Sequence, residues 1–192
     1  MIGVTVFTAM TILLAGYALA LYRGLLRAER QLHRAWSHLE FAWARRDGEI
    51  TRLIELCAPD LATHSETFER LKRAREALQR ARERQDVPAV NAAEDLLRSA
   101  LAALYPIATR HVHVHPQGDA LLRALRFRVR AHERAIAAHG ERYNAAAEAL
   151  NARIDLLPDA LIAGLCHLAP AARVELSAAG GADSDLGLAY GK

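Results

Sequence analysis

The stretch Ile2-Gly-Val-Thr-Val-Phe-Thr-Ala-Met-Thr-Ile-Leu-Leu-Ala-Gly-Tyr-Ala-Leu-Ala-Leu-Tyr22 decides the fold. Its 21 residues carry no ionisable side chain other than two tyrosines. As an α-helix it rises about 31 Å at 1.5 Å per residue, about the thickness of a hydrocarbon core. From Arg23 onward the chain turns to alanine, leucine, arginine and glutamate, with few aromatic and β-branched residues, a mixture that forms helices. The reading is an all-α protein: an N-terminal transmembrane helix that continues into a soluble helical body.

The flanks of the stretch argue for an anchor over a cleaved signal. A secretory signal opens with basic residues and closes on a small-residue cleavage site. Here no basic side chain precedes the apolar run, which is also long for a signal core, although Ala18-Leu19-Ala20 would pass as a cleavage site. Arg23, Arg27, Arg30 and Arg34 follow the run instead, at spacings that place them on one stripe of a continuing helix. By the positive-inside rule, the amino terminus is expected outside and the body in the cytoplasm. Arg23, Arg27 and Arg30 are the membrane-proximal basic residues. Near anionic headgroups each contributes about 1 kcal/mol, falling off within a Debye length.

Composition narrows the remaining classes. Length leaves one domain with a single hydrophobic core after the anchor. The net charge is only +3, without a basic cluster interleaved with aromatics, so no nucleic-acid partner is expected. Cys57 and Cys166 make no zinc or redox spacing and read as two buried, reduced thiols. No Walker-type glycine loop, G-x-S-x-G or H-E-x-x-H is present. No cofactor, small-molecule substrate or enzymatic activity is expected.

The periodicity then divides the body. Leu32, Trp36, Leu39, Trp43, Ile50, Leu53 and Cys57 form a near-heptad seam interrupted at Arg46-Asp47, which predicts one helix from about residue 4 to 57, ended by Ala58-Pro59. A second helix is expected over 61–85, on the stripe Leu61, Phe68, Leu71, Leu78 and Ala81, with Glu66–Arg70, Glu69–Arg73 and Glu76–Arg80 as i,i+4 pairs. Asp86-Val87-Pro88 suits a helix start. A third helix is expected over 88–104, on Val90, Ala93, Leu97, Leu101 and Leu104, ended by Tyr105-Pro106. Residues 107–118 read as a loop. A fourth helix is expected over 119–157, on Leu122, Leu125, Val129, Ile136, Tyr143, Leu150 and Ile154, with His132 and His139 as core or rim histidines. Pro158 stops it, a short helical turn follows over 160–167, and 177–192 reads as a disordered tail. One-faced helices joined by short Pro-marked connections imply a long antiparallel bundle of about four helices. The domains are thus 1–22 as anchor, 23–176 as bundle and 177–192 as tail. With no break after Tyr22, anchor and first bundle helix form one rod.

The loop contains His111-Val112-His113-Val114-His115. In an extended chain, a period of two puts His111, His113 and His115 on one side, where three imidazoles suit a transition metal. Neither a carboxylate nor a cysteine lies nearby to complete a site. His132 and His139 lack the Glu-x-x-His pattern of helical di-iron centres.

Two blocks carry a family resemblance. Ala35-Trp36-Ser37-His38-Leu39-Glu40, followed by Ala44-Arg45-Arg46-Asp47, resembles the first. Arg142-Tyr143-Asn144, Leu150-Asn151-Ala152-Arg153-Ile154-Asp155 and Pro158-Asp159-Ala160-Leu161-Ile162-Ala163-Gly164-Leu165 resemble the second. Together they resemble the LemA family over about residues 22–176. The resemblance implies a single-pass protein of the bacterial inner membrane with an antiparallel helical bundle. It implies no settled biochemical activity, and one branch is associated with magnetosomes. The chain departs from the pattern in three places. A proline usual after the Arg-Arg pair is absent, Leu150 replaces a tyrosine, and the histidine stretch is unlike the family's.

The matched residues also have a physical reading of their own. Trp36 and Trp43, seven apart, share a face and are large enough to fix packing. Asn144 and Asn151, also seven apart, set register by cross-helix hydrogen bonds. Arg45, Arg46 and Asp47 form a polar layer where the seam is interrupted. Tyr143 and Pro158 complete the structural set. The expected function is a membrane-anchored scaffold that contacts the bilayer and a protein partner or itself. The alternative is a metal- or pH-responsive sensor built on the histidine stretch.

Overall fold

A computed structural model describes residues 2–57, 64–114 and 116–176, with side chains of all but 2, 111–114, 116 and 117. The described residues form α1 (Ile2–Leu56), α2 (Ser65–Glu83), α3 (Val87–Val114), α4 (Pro116–Asp155) and α5 (Asp159–Leu165). The protein is all-α, a helical bundle with one long apolar N-terminal helix. The tail read at 177–192 lies outside the described residues.

The start of α1 is long and apolar enough to cross a membrane, and none of it is buried by protein. Phe7 is 75% exposed and Leu13 72%, the reverse of a soluble core helix. From Leu25 the same helix begins to bury side chains.

The described residues fall into two compact units. The first joins Met1–Ser37 to Arg142–Arg173, and the second joins His38–Glu141 to the described part of Val174–Lys192. In the first unit, Leu25, Ala28, Leu150 and Ala163 form a core, with Leu32, Ile154, Ile162, Leu168 and Ala171 packed on it. In the second unit, the remaining seam of α1 (Leu39, Trp43, Ile50, Leu53 and Cys57) is buried. So are the stripes Phe68–Leu71–Ala74–Leu78–Ala81 of α2 and Val90–Ala93–Leu97–Leu101–Leu104 of α3. These periodicities make each helix one-faced, and burial of those faces stabilises the bundle. Helices α2 and α3 pack as a hairpin. Its tight connection places Gln85 at a φ of 53°, and the Asp86 carboxylate accepts the Ala89 N–H at 3.1 Å, capping α3. Cys57 is buried as expected, whereas Cys166, just past the end of α5, is exposed, against the reading of both thiols as buried.

Other expectations are corrected. Helix α3 does not stop at Tyr105-Pro106 but carries Pro106 in its interior and runs to Val114. A proline there sacrifices a backbone hydrogen bond and costs about 3 kcal/mol. Leu104, Ile107 and Ala108 are all buried on the same face and offset it. The stretch read as a loop is therefore helical over 107–114 and 116–118. Of the three i,i+4 pairs on α2, Glu66–Arg70 closes at 2.6 Å, whereas Arg73 and Arg80 donate their Nε–H to the carbonyls of Glu69 and Glu76. His132 and His139 are half-buried, at the rim, within the expected core-or-rim reading.

Candidate functional site

The interruption in the α1 seam gathers several charged side chains into ion pairs. Between Trp43 and Ile50 the helix buries two charged residues, Arg46 and Glu49. Both terminal nitrogens of the Arg46 guanidinium donate to Glu94 of α3, at 2.8 and 2.6 Å. The two side chains are only 6% and 3% exposed. Glu94 lies on the α3 seam between Val90 and Leu97, so helical geometry brings it to face Arg46. A bidentate, charge-assisted pair is the arrangement that best survives desolvation.

Further ion pairs surround this one in the second unit. Asp47 accepts two bonds from Arg75 of α2, at 2.6 and 2.8 Å, and Arg75 also donates to the Thr51 hydroxyl. Glu49 is buried and held by Arg52 at 2.8 Å and by Arg128 of α4 at 3.0 Å. Arg82 lies 5.3 Å from the Trp43 ring centre and donates to the Glu40 carbonyl. Burial lowers its pKa, against the pull of Glu40 and Asp47. A cleft of about 500 Å³ opens here, lined by Trp43, Arg46, Asp47, Arg75, Arg82 and Leu97 among others. The Arg45 side chain points elsewhere. It is exposed and lies over the Phe41 ring at 4.6 Å, so it is not part of the layer.

Glu133 of α4 lines a small cavity with Arg46, Glu94 and Arg98. Burial raises its carboxyl above the usual range, and Glu94 adds to this while Arg46 opposes it. Burial also raises the Tyr105 hydroxyl, with Glu133 adding to it, and Arg126 lies over that ring at 4.8 Å. Because folding raises the Glu133 pKa, its contribution is fully present below the unfolded-chain value. It is lost as pH rises through the folded value. Glu133→Gln is therefore expected to raise the melting temperature near pH 7, with the gain shrinking toward about pH 4. Thermal unfolding at both pH values checks this.

The two tryptophans fall in different units. Trp36 is 3% exposed and meets Tyr143 edge-on at 5.5 Å in the first unit, where burial raises the Tyr143 hydroxyl. Trp43, 1% exposed, lies in the second. Asn144 is buried. Asn151 departs from the expected cross-helix bond. Its amide donates to the Ala171 carbonyl at 2.9 Å and accepts the Ala171 N–H at 2.8 Å, clamping the irregular segment after α5. Pro158 follows a cis peptide bond and directly precedes α5.

The histidine stretch lies differently from the sequence reading. Its backbone is helical at His111 and His113, where a helix turns about 100° per residue and sets them on opposite sides. Their side chains, and all of His115, lie outside the described residues. No cluster of three or more metal-ligating side chains occurs among the described residues. His38 and His139 stack at 5.9 Å in the second unit. Arg23, Arg27 and Arg30 are exposed on α1, and the latter two donate Nε–H to carbonyls four residues back.

The family model described as the LemA family matches residues 35–184. The chain belongs to the LemA family. No curated protein and no solved structure matches it. The matched LemA region contains the whole ionic layer and both tryptophans. The apolar start of α1 and Arg23, Arg27 and Arg30 precede it. Sequence reading missed Glu94 and Arg75 as partners of Arg46 and Asp47, although Glu94 sits at a seam position of α3.

Proposed function

We propose that this LemA-family chain is a membrane-anchored scaffold without bond-making chemistry of its own. Residues 1–22 form the anchor, and the bundle 23–176 presents its surface to a protein partner or a second copy. The observation that carries this reading is the start of α1, an apolar helix long enough to span a bilayer and uncovered by protein. The ionic layer supports the second half of it. Arg46–Glu94, Arg75–Asp47 and Arg128–Glu49 neutralise each other's charge, which suits a fixed framework more than a poised acid or base. In this reading the chain spans the bacterial inner membrane once, amino terminus outside and bundle in the cytoplasm, and the arginines after Tyr22 support that orientation.

Two measurements test this. Protease added to inverted inner-membrane vesicles is expected to digest the bundle; a protected bundle refutes the orientation. Affinity capture of the detergent-solubilised chain, followed by light scattering, is expected to show a stoichiometric partner or an oligomer. A lone monomer overturns the scaffold.

A further inference from the structure

At the place where α1 leaves its apolar stretch, the first unit carries a second apolar surface. Arg153, in the last turn of α4, brings its guanidinium to 2.6 Å from where a Cβ on Gly24 would stand. The end of α4 therefore lies level with a residue about 3 Å beyond Tyr22 along α1. Ala163 of α5 is buried in one core with Leu25 and Ala28, and Ile162 packs against it. This pins the inner side of α5 to α1 within two turns of the apolar stretch.

The other side of this turn faces no protein. Leu156 and Leu157, between α4 and α5, are 65% and 75% exposed, and Leu161 and Leu165 of α5 are 71% and 81% exposed. Leu161 and Leu165 are four apart and share a helix face. Four leucines so exposed within ten residues form a surface that water does not favour. Exposed arginines flank it on the α1 side, while two carboxylates lie within the turn itself, Asp155 exposed and Asp159 half-buried. Arg23 and Arg27 are exposed, and a groove of about 230 Å³ is lined by Gly24, Arg27, Gln31 and Arg153. Among the described residues no carboxylate pairs with Arg27 or Arg153. A leucine face beside unpaired arginines, held level with the end of a bilayer-length helix, matches the chemistry of interfacial helices. The headgroup layer, about 5–8 Å deep on each side, spans the same height.

We propose that the turn from α4 to α5 is a second membrane contact. Leu156, Leu157, Leu161 and Leu165 dip into the headgroup–acyl boundary of the leaflet from which α1 emerges, while Arg27 and Arg153 meet lipid phosphates. The proposal rests on α1 being a membrane anchor. It makes the bilayer surface, rather than a second copy of the chain, the occupant of the leucine face.

The test uses the full chain carrying Cys166→Ser, with a nitrobenzoxadiazole probe at Ile12→Cys, Leu161→Cys or Ser37→Cys. Each chain is reconstituted into phosphatidylcholine–phosphatidylglycerol vesicles containing nitroxide-labelled lipid. All three positions are exposed, so the label does not disturb a core. The Ile12 probe reports the anchor and the Leu161 probe reports the turn. Ser37, about 22 Å along α1 from Tyr22, reports water. Quenching at Leu161 is expected to reach at least half that at Ile12, with Ser37 near zero. Strong quenching at Ile12 with Leu161 at the Ser37 level overturns the second contact and leaves the anchor standing. A blue-shifted but unquenched Leu161 probe also overturns it, in favour of a second copy. Absence of quenching at both Ile12 and Leu161 removes the anchor and the proposal together.

Discussion

Glu94→Ala is expected to destabilise the folded protein by about 3–5 kcal/mol, the cost of leaving a buried charge without its partner. Arg46 would then hold its charge with 6% of its side chain exposed and its two bonds of 2.8 and 2.6 Å gone. Arg46→Ala should cost a similar amount, through a stranded Glu94. The paired replacement Arg46→Met with Glu94→Leu should recover most of the loss, because apolar groups of similar size need no counter-ion there. Thermal or denaturant unfolding in detergent of the two single variants and the double gives the cycle. A Glu94→Ala cost under about 1 kcal/mol would show that water reaches the pair and that it behaves as a surface salt bridge.

Trp43→Ala is expected to cost about 3–5 kcal/mol, the range for emptying a buried aromatic site. Its side chain is 1% exposed, so the space left is internal, and Arg82 loses the ring beside it. Trp43→Phe keeps a ring in the same place and should cost clearly less. The comparison separates lost volume from lost contact with Arg82. If Ala and Phe cost the same, the volume argument fails and the indole itself matters. Unfolding followed by circular dichroism reads both without depending on the tryptophan signal being removed.

Much of the fold follows from spacing. A 3.6-residue period in Val90, Ala93, Leu97, Leu101 and Leu104 leaves only one face to bury, and all five are buried. Where the reading went astray, a local signal met a tertiary one. Pro106 disfavours a helix locally, but Ile107 and Ala108 continue the α3 stripe, and their burial outweighs the missing bond. The His-x-His-x-His stretch lacks a helical period of its own and so reads as a loop, although the backbone there continues α3. In the ionic layer, the break in the α1 seam located Arg46, but which carboxylate faces it depends on the register between α1 and α3. No single-helix pattern contains that register. Asn151 is a similar case. Its position on α4 was visible, while its partner, the backbone of Ala171, lies in a segment with no periodicity. The leucines of α5 read from sequence as an apolar helical turn. Their exposure became visible only once Ala163 and Ile162 took the inner side.

The two cysteines give the chain an internal clock. Cys57, at the end of α1, has none of its surface exposed, whereas Cys166, at the end of α5, is open to solvent. A thiol reagent mixed with the folded protein therefore meets one sulfur at once and the other only when the end of α1 lets go. Once the fast phase is complete, the slow uptake of a second equivalent measures how often that part of the second unit opens, with no label added and no residue changed.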